Sequence, residues 1–487
     1  MLFRSWGPDC VEQFQGMFAF ALWERDSGRL TLARDRFGIK PLYLAPVPGG
    51  VRFASSLPGL LAGGGLDTSI DPVALHHYMS WHAVVPAPRT ILNGVRKLPP
   101  ATVAQFERDG TRRERVYWRL AVREDPALAA MSAREREDLV EAALMQAVER
   151  RMVADVPVGV LLSGGVDSSL IVALLAELGQ QGLRTFSIGF EAARGERGDE
   201  FRYSDLVAER YRTVHHKIRI PTAELLAELP ATIAAMSEPM VSYDNVGFFL
   251  LSREVAKHMK VVQSGQGADE VFAGYHWYPK MAESADERAV ESYARAFFDR
   301  DHAEYLRTIG APWAGEDASR AFVERHFARA EAGTPVEKAL HLDATVMLVD
   351  DPVKRVDNMT MAWGLEARVP FLDHELVELA GRLPVGDKLA DGGKGILKSI
   401  ARRWLPNEVI DRPKGYFPVP ELKYVEGPVL ELVRDALASR AARERGLFRP
   451  EAIRPWLERP SEHITPLQGS KLWQVALLEL WLQARGI

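Results

Sequence analysis

Val158-Gly159-Val160-Leu161-Leu162-Ser163-Gly164-Gly165-Val166-Asp167-Ser168-Ser169 is the stretch on which the fold turns. Residues 158–162 form a continuous apolar run of buried-strand length, and a helical pattern begins near Ser169 and runs to Leu178. Between them lie two glycines, which let the backbone approach an anion closely and adopt positive φ. The free N–H groups at the start of the helix, with its dipole behind them, suit a phosphate. Ser163 and Ser168 add hydroxyl donors, and Asp167 is placed to hold Mg²⁺ beside the phosphates. The loop is not a Walker sequence, because no Gly-Lys-Ser/Thr follows. An ordinary strand-to-helix turn has the same local composition, so the loop needs a second signal.

That signal is Ser264-Gly265-Gln266-Gly267-Ala268-Asp269-Glu270, which again follows an apolar strand, 260–263, and again ends in acid. Two such turns, each with a carboxylate, imply one Mg-nucleotide held between them. Open α/β sheets bind ligands at the carboxyl ends of their strands, where both loops would sit. A further buried strand is read at 184–190, and Ser132 with Glu135 makes a capping-box spacing for a helix ending near Arg151. Alternating strands and helices predict a parallel sheet with helices on both faces. Beyond Glu283 the pattern is mostly helical.

Before residue 120 the pattern differs. Segments 18–23 and 29–33 flank Asp26-Ser27-Gly28, and 41–44 and 51–54 flank Gly49-Gly50. Segments 103–106 and 115–118 flank Asp109-Gly110, so antiparallel hairpins are expected. A short helix is expected after Asp71-Pro72. The predicted division is 1–118 and 119–487, an antiparallel β-rich part followed by a parallel α/β part with a helical C-terminal portion.

The 487 residues are 47% hydrophobic and 26% charged, as in a globular enzyme of two domains. Sixty-one basic against 66 acidic residues give a formal charge of -5, without the basic field of a duplex binder, so no nucleic-acid partner is expected. The single cysteine, Cys10, excludes an internal disulfide and argues against a cysteine-built metal site. Such usage suits a reducing cytoplasm, the expected location. Arg4, Asp9 and Glu12 interrupt the apolar start, and no run reaches the roughly 18 apolar residues of a membrane span.

The first loop resembles the pyrophosphate loop of the ATP pyrophosphatase superfamily, whose members make adenylates. Residues 365–374, Leu-Glu-Ala-Arg-Val-Pro-Phe-Leu-Asp-His, and the 351–361 segment before them resemble blocks of asparagine synthetases. The second loop is similar to that family's Ser-Gly-Glu-Gly-Ala/Ser-Asp-Glu. At the front, 16–21 and 33–43 look like the back half of its Ntn-type glutaminase domain. The resemblance covers nearly the whole chain. It implies an ATP-dependent amide ligase that activates a carboxylate as an acyl-adenylate, passes it to ammonia, and releases AMP and pyrophosphate. ATP and Mg²⁺ would be the cofactors; a carboxylate acceptor and ammonia or glutamine the other small-molecule partners. Residue by residue, Ser163, Gly164, Gly165, Asp167 and Ser168 would bind pyrophosphate, and Ser264 would belong to the ATP-binding set. Asp167 and Asp269 would share Mg²⁺, and Leu162, Ile188 and Gly265 would lie near adenosine. Lys414, in Arg412-Pro413-Lys414-Gly415, would stabilise the charge of departing pyrophosphate.

Two departures stand out. The family's glutaminase nucleophile is an N-terminal cysteine, whereas here Met1 is followed by Leu2, and an Asn-Gly-Glu block is absent. No residue of this chain is expected to serve as that nucleophile; Cys10, in a helical context, reads as a buried structural thiol. A misplaced start or a truncation is the expected reason, with free ammonia as the usable nitrogen source. Second, Gln266 replaces a glutamate that could take a proton from attacking ammonia, and Asn358 stands where a basic residue is common. Residues 81–90, 275–279 and 356–360 resemble one branch, N-acetylglutaminylglutamine amidotransferase, with the aromatic run at Tyr275, Trp277 and Tyr278 read either as lining a larger acceptor site or as a packed cluster. Aspartate is the alternative acceptor. A tRNA-modifying adenylating enzyme and an inactive homologue are the readings from other classes. A homodimer is left open.

Overall fold

The computed structural model describes residues 2–191, 198–329, 332–413 and 424–487. Its first third contains β1 (Ala19–Glu24), β2 (Arg29–Arg34), β3 (Tyr43–Val47), β4 (Gly50–Ala54), β5 (Arg96–Lys97), β6 (Thr102–Phe106) and β7 (Arg112–Val116). They make two antiparallel sheets, ordered β1-β2-β6-β7 and β4-β3-β5. The predicted turns connect β1 to β2, β3 to β4 and β6 to β7. Alternation puts Leu30, Leu32, Leu44 and Ala104 with Leu42 and Leu98 in one apolar cluster shared by both sheets.

Just after β2 the chain winds around a buried carboxylate. Asp35 accepts from the backbone N–H of Ile39 and Lys40, each at 2.9 Å, while the Arg34 guanidinium donates to the carbonyls of Lys40, Leu98 and Gly38. This turn aims Lys40 at Asp357, 2.9 Å away in the second part of the chain. Cys10 is fully buried in the 3₁₀ helix Gly7–Gln13, in keeping with a structural thiol.

The second part is built on β8 (Val158–Leu161), β9 (Arg184–Phe190), β10 (Val214–Ile220), β11 (Val261–Gln263) and β12 (Glu366–Arg368). All neighbours are parallel, in the order β10-β9-β8-β11-β12. The chain therefore moves outward from β8 through β9 to β10, then returns to add β11 and β12 on the other side. Order reverses between β8 and β11, the switch point where open sheets of this type leave a crevice. β10 and β12 are the strands missing from the sequence reading. β10 is an edge strand with His215, Lys217 and Arg219 breaking its apolar pattern, and β12 has only three residues.

Helix Val166–Glu177 packs so deeply that Ser168 through Leu175 are all buried, which its apolar perimeter allows. Helix Ala133–Arg150 starts at the predicted capping box: Glu135 N–H donates to Ser132 Oγ and Ser132 N–H to the Glu135 carboxylate. From Asp286 onward helices dominate, and the last of them, Lys471–Gln483, is buried along most of its length. Among the described residues, no helix is long and apolar enough to cross a membrane.

Candidate active site

Both anion-loop candidates lie at the switch point. After β8, the Ser163 and Ser168 hydroxyls sit 3.0 Å apart, and Gly165 N–H donates to Ser163 Oγ at 3.2 Å. Gly164 has φ +74°, and a Cβ there would stand 2.7 Å from Ser204 N, so only glycine fits this turn. After β11, Ser264 N–H donates to the Arg368 carbonyl at 2.8 Å, which ties the second loop to β12. The two loops touch: a Cβ on Gly265 would meet Asp167 Cβ at 2.9 Å.

Their carboxylates converge on a residue that the sequence reading passed over. Lys394 Nζ lies 2.7 Å from Asp167 Oδ2 and 2.9 Å from Asp269 Oδ2. Burial alone would drive the proton off this ammonium, but the two carboxylates outweigh it and hold its pKa above the ordinary lysine value. Lys394 ends a run, Asp391-Gly392-Gly393-Lys394, in which every φ is positive: 53°, 74°, 106° and 58°. Such a run is costly for the two non-glycine residues and marks a segment shaped to deliver a side chain. The available signal was a lysine set among three glycines immediately before an apolar helix, Gly395–Ala401.

These groups border a cavity of about 460 Å³. Leu162, Ser163, Gly165, Asp167 and Ser168 line it from the first loop, and Ser264, Gly265, Gln266 and Asp269 from the second. Gly164 shapes the turn beside it. Ile188 of β9 contributes to an apolar wall with Phe186, Phe248 and Leu251. Arg412 reaches the rim, where its guanidinium pairs with Glu200 at 2.8 Å and lies over the Tyr203 ring. Lys414 falls outside the described residues.

Glu270, the last acid of the second loop, is buried and accepts from the Tyr275 hydroxyl at 2.6 Å. Burial pushes its pKa up to about 7, and the charge of Asp269 adds to the shift. Tyr275 stacks on Trp277 at 4.2 Å between ring centres. Trp277 and Tyr278 turn away into the core, where both donate to Asp343, as does Tyr293. The acceptor-site role considered for this aromatic run is thereby corrected for Trp277 and Tyr278. Their rings are buried, their polar atoms satisfy an internal carboxylate, and they pack as a cluster. Asn358 also faces inward, its Oδ1 accepting from Ser237 N–H at 2.8 Å.

The donor set suits Mg²⁺, a hard cation that prefers carboxylate and phosphate oxygens. Asp167 and Asp269 come from different loops yet share one cationic neighbour, so a positive charge is already favoured where they meet.

The fold and this crevice define a two-part α/β enzyme with a nucleotide-sized cavity at the switch point of its parallel sheet. Residues 139–483 match the family described as asparagine synthase, and residues 1–118 match the glutamine amidotransferase domain. A Mycobacterium tuberculosis protein bearing the provisional name of a glutamine-hydrolyzing asparagine synthetase is 32% identical over 98% of this chain and 78% of its own. Asparagine synthetase (glutamine-hydrolyzing) 1 of Bacillus subtilis is 28% identical over 98% of this chain and 79% of its own. A Penicillium rubens relative, 25% identical over 88% of this chain and 73% of its own, is named an amidase. The chain belongs to the asparagine synthase family and is a carbon–nitrogen ligase.

Proposed function

We propose that this enzyme activates a carboxylate with ATP as an acyl-adenylate and converts it to an amide with ammonia, releasing AMP and pyrophosphate, with N-acetylglutaminylglutamine as the acceptor. Amidation of the asparagine synthetase type, with nitrogen drawn from glutamine, is the coarse reaction of the family. The observation that carries the ATP-dependent activation is the meeting of Asp167, Asp269 and Lys394 at one corner of the switch-point cavity.

In this reading, the N–H groups and hydroxyls of Ser163, Gly165 and Ser168 cradle the β- and γ-phosphates. The wall of Leu162, Ile188, Phe186 and Phe248 takes the adenosine. Asp167 and Asp269 hold Mg²⁺, whose charge offsets that of the phosphates. Lys394 stabilises the negative charge that grows as pyrophosphate leaves, the role assigned from sequence to Lys414. We further propose the division 1–118 and 119–487 for the glutamine-amidotransferase-like part with its linker and the ligase part. It is supported by the change from antiparallel to parallel pairing after β7 and by the boundary of the first family match.

Gln266 lines the cavity where a family glutamate would supply a carboxylate, which favours an acceptor other than aspartate. The names of the bacterial relatives favour aspartate itself. A product assay separates the two: full chain, Mg-ATP and ammonium with each acceptor, products identified by mass. Amidated dipeptide with AMP, abolished in Asp167→Ala, supports the reading given; asparagine with AMP moves the enzyme to the second. Folded protein that makes AMP with neither acceptor would contradict both.

A further inference from the structure

Away from the cavity, three segments bring two histidines and a carboxylate to one point. His76 is on helix Pro72–Ser80, His302 begins helix His302–Thr308, and Asp317 caps helix Ala318–Phe327. His76 Nε2 lies 3.1 Å from His302 Nδ1 and 3.7 Å from Asp317 Oδ1. One ligand atom from each of the three lies within 4.8 Å of the others. Ligands about 2.0–2.2 Å from a zinc ion in tetrahedral arrangement are themselves a little over 3 Å apart, so the 3.1 and 3.7 Å spacings around His76 need only small adjustment. We propose that His76, His302 and Asp317 form a site for a divalent transition metal, zinc being the best match, with water completing its coordination.

The surroundings support ligation. His76 is 2% exposed and its other nitrogen, Nδ1, is 2.9 Å from Ser319 Oγ. An Nδ1–H donated to that hydroxyl leaves the Nε2 lone pair facing His302 and Asp317, the tautomer a metal requires. His302 and Asp317 are half-buried, which leaves a route from solvent. The charges facing the site are mixed. Arg300 opposes a cation, whereas Asp317 favours one. His77, whose Nδ1 is 3.0 Å from the same Ser319 hydroxyl, is a neighbour and not a ligand. A metal here would join the helix between β4 and β5 to two helices of the second part, and none of the three ligands lines the switch-point cavity.

The test uses the full chain, stripped with chelator and titrated with Zn²⁺ against a competing indicator, with Co²⁺ as a spectroscopic substitute. Asp317→Asn removes the anionic ligand yet keeps a good helix cap on Arg320 N–H. His302→Gln removes a half-exposed ligand, and both variants are checked for native circular dichroism. The expected result is one equivalent bound by wild type with a tetrahedral Co²⁺ spectrum, and binding weakened at least ~10-fold in each variant. Stoichiometric binding unchanged in both variants, or its absence from wild type at micromolar Zn²⁺, overturns the proposal.

Discussion

Lys394 donates to Asp167 at 2.7 Å across 227 residues of chain, closing the corner where the two glycine-bearing loops meet. The same ammonium reaches Asp269, so one lysine reports on both loops at once. Its charge is held by the two carboxylates against the pull of burial.

Replacing it should therefore disable chemistry and leave the fold in place. Lys394→Met is expected to lower the ATP-dependent rate by about 100-fold or more, as loss of one preorganised charge does at other active sites. Circular dichroism should be unchanged. A rate within about threefold of wild type, in steady-state kinetics, would remove Lys394 from the phosphate site.

Gly274 offers a subtler probe of the same corner. Its φ is outside the left-handed region, yet a Cβ would fall 2.1 Å from Asp269 Oδ1 and 2.3 Å from Lys394 Cε. Both are ends of movable side chains, so Gly274→Ala should fold and push the pair apart. The expected outcome is a melting temperature close to wild type with activity reduced at least ~10-fold. Normal activity would show that the pair tolerates displacement.

The two parts of the chain are joined by a buried ionic cluster. Lys97 donates to Asp350 and to the Val85 carbonyl, each at 2.5 Å, and pairs with Glu238 at 3.2 Å. Lys97→Met leaves Glu238 and Asp350 with Lys354 alone, at 3.8 and 3.7 Å, a loss expected to cost up to about 3 kcal/mol, the low end for breaking a buried pair. Chemical denaturation should show a lowered midpoint for whichever transition includes both parts. An unshifted midpoint would show that this cluster does not link their stability.

Asp343 gives a pH signature. Burial raises its carboxyl pKa to about 6, against the opposing bonds from Tyr293, Trp277 and Tyr278. The native state thus binds this proton more tightly than the unfolded chain, whose aspartate titrates near 3.8. The stabilisation is complete below that lower value and is lost as pH rises through about 6. The stability of wild type relative to Asp343→Asn should fall between pH 4 and pH 7, by at most about 3 kcal/mol. A pH-independent difference would mean the carboxyl is ionised throughout.

Much of this arrangement was legible because its signals are local. A strand, two glycines and a helix start place Ser163 to Ser168, and repetition of that pattern places Ser264 to Asp269. Lys394 was not legible in the same way. Its partners lie far away in sequence, and its role rests on four successive positive φ angles that only the folded chain displays. β12 was missed because three residues are too few for a period, and β10 because an edge strand tolerates charge. The aromatic run stayed open between two readings for a related reason: composition cannot tell a ring that lines a cavity from one that donates to a buried aspartate.

The central claim, passage through an acyl-adenylate, is tested most directly by following oxygen. N-acetylglutaminylglutamine with a heavy-oxygen label in the carboxylate it presents for amidation would be turned over with Mg-ATP and ammonium, and the nucleotide product weighed. If the carboxylate attacks the α-phosphorus and ammonia then displaces AMP from the acyl carbon, one labelled oxygen leaves in AMP. Label appearing in inorganic phosphate alongside ADP would mean an acyl-phosphate route and contradict the account.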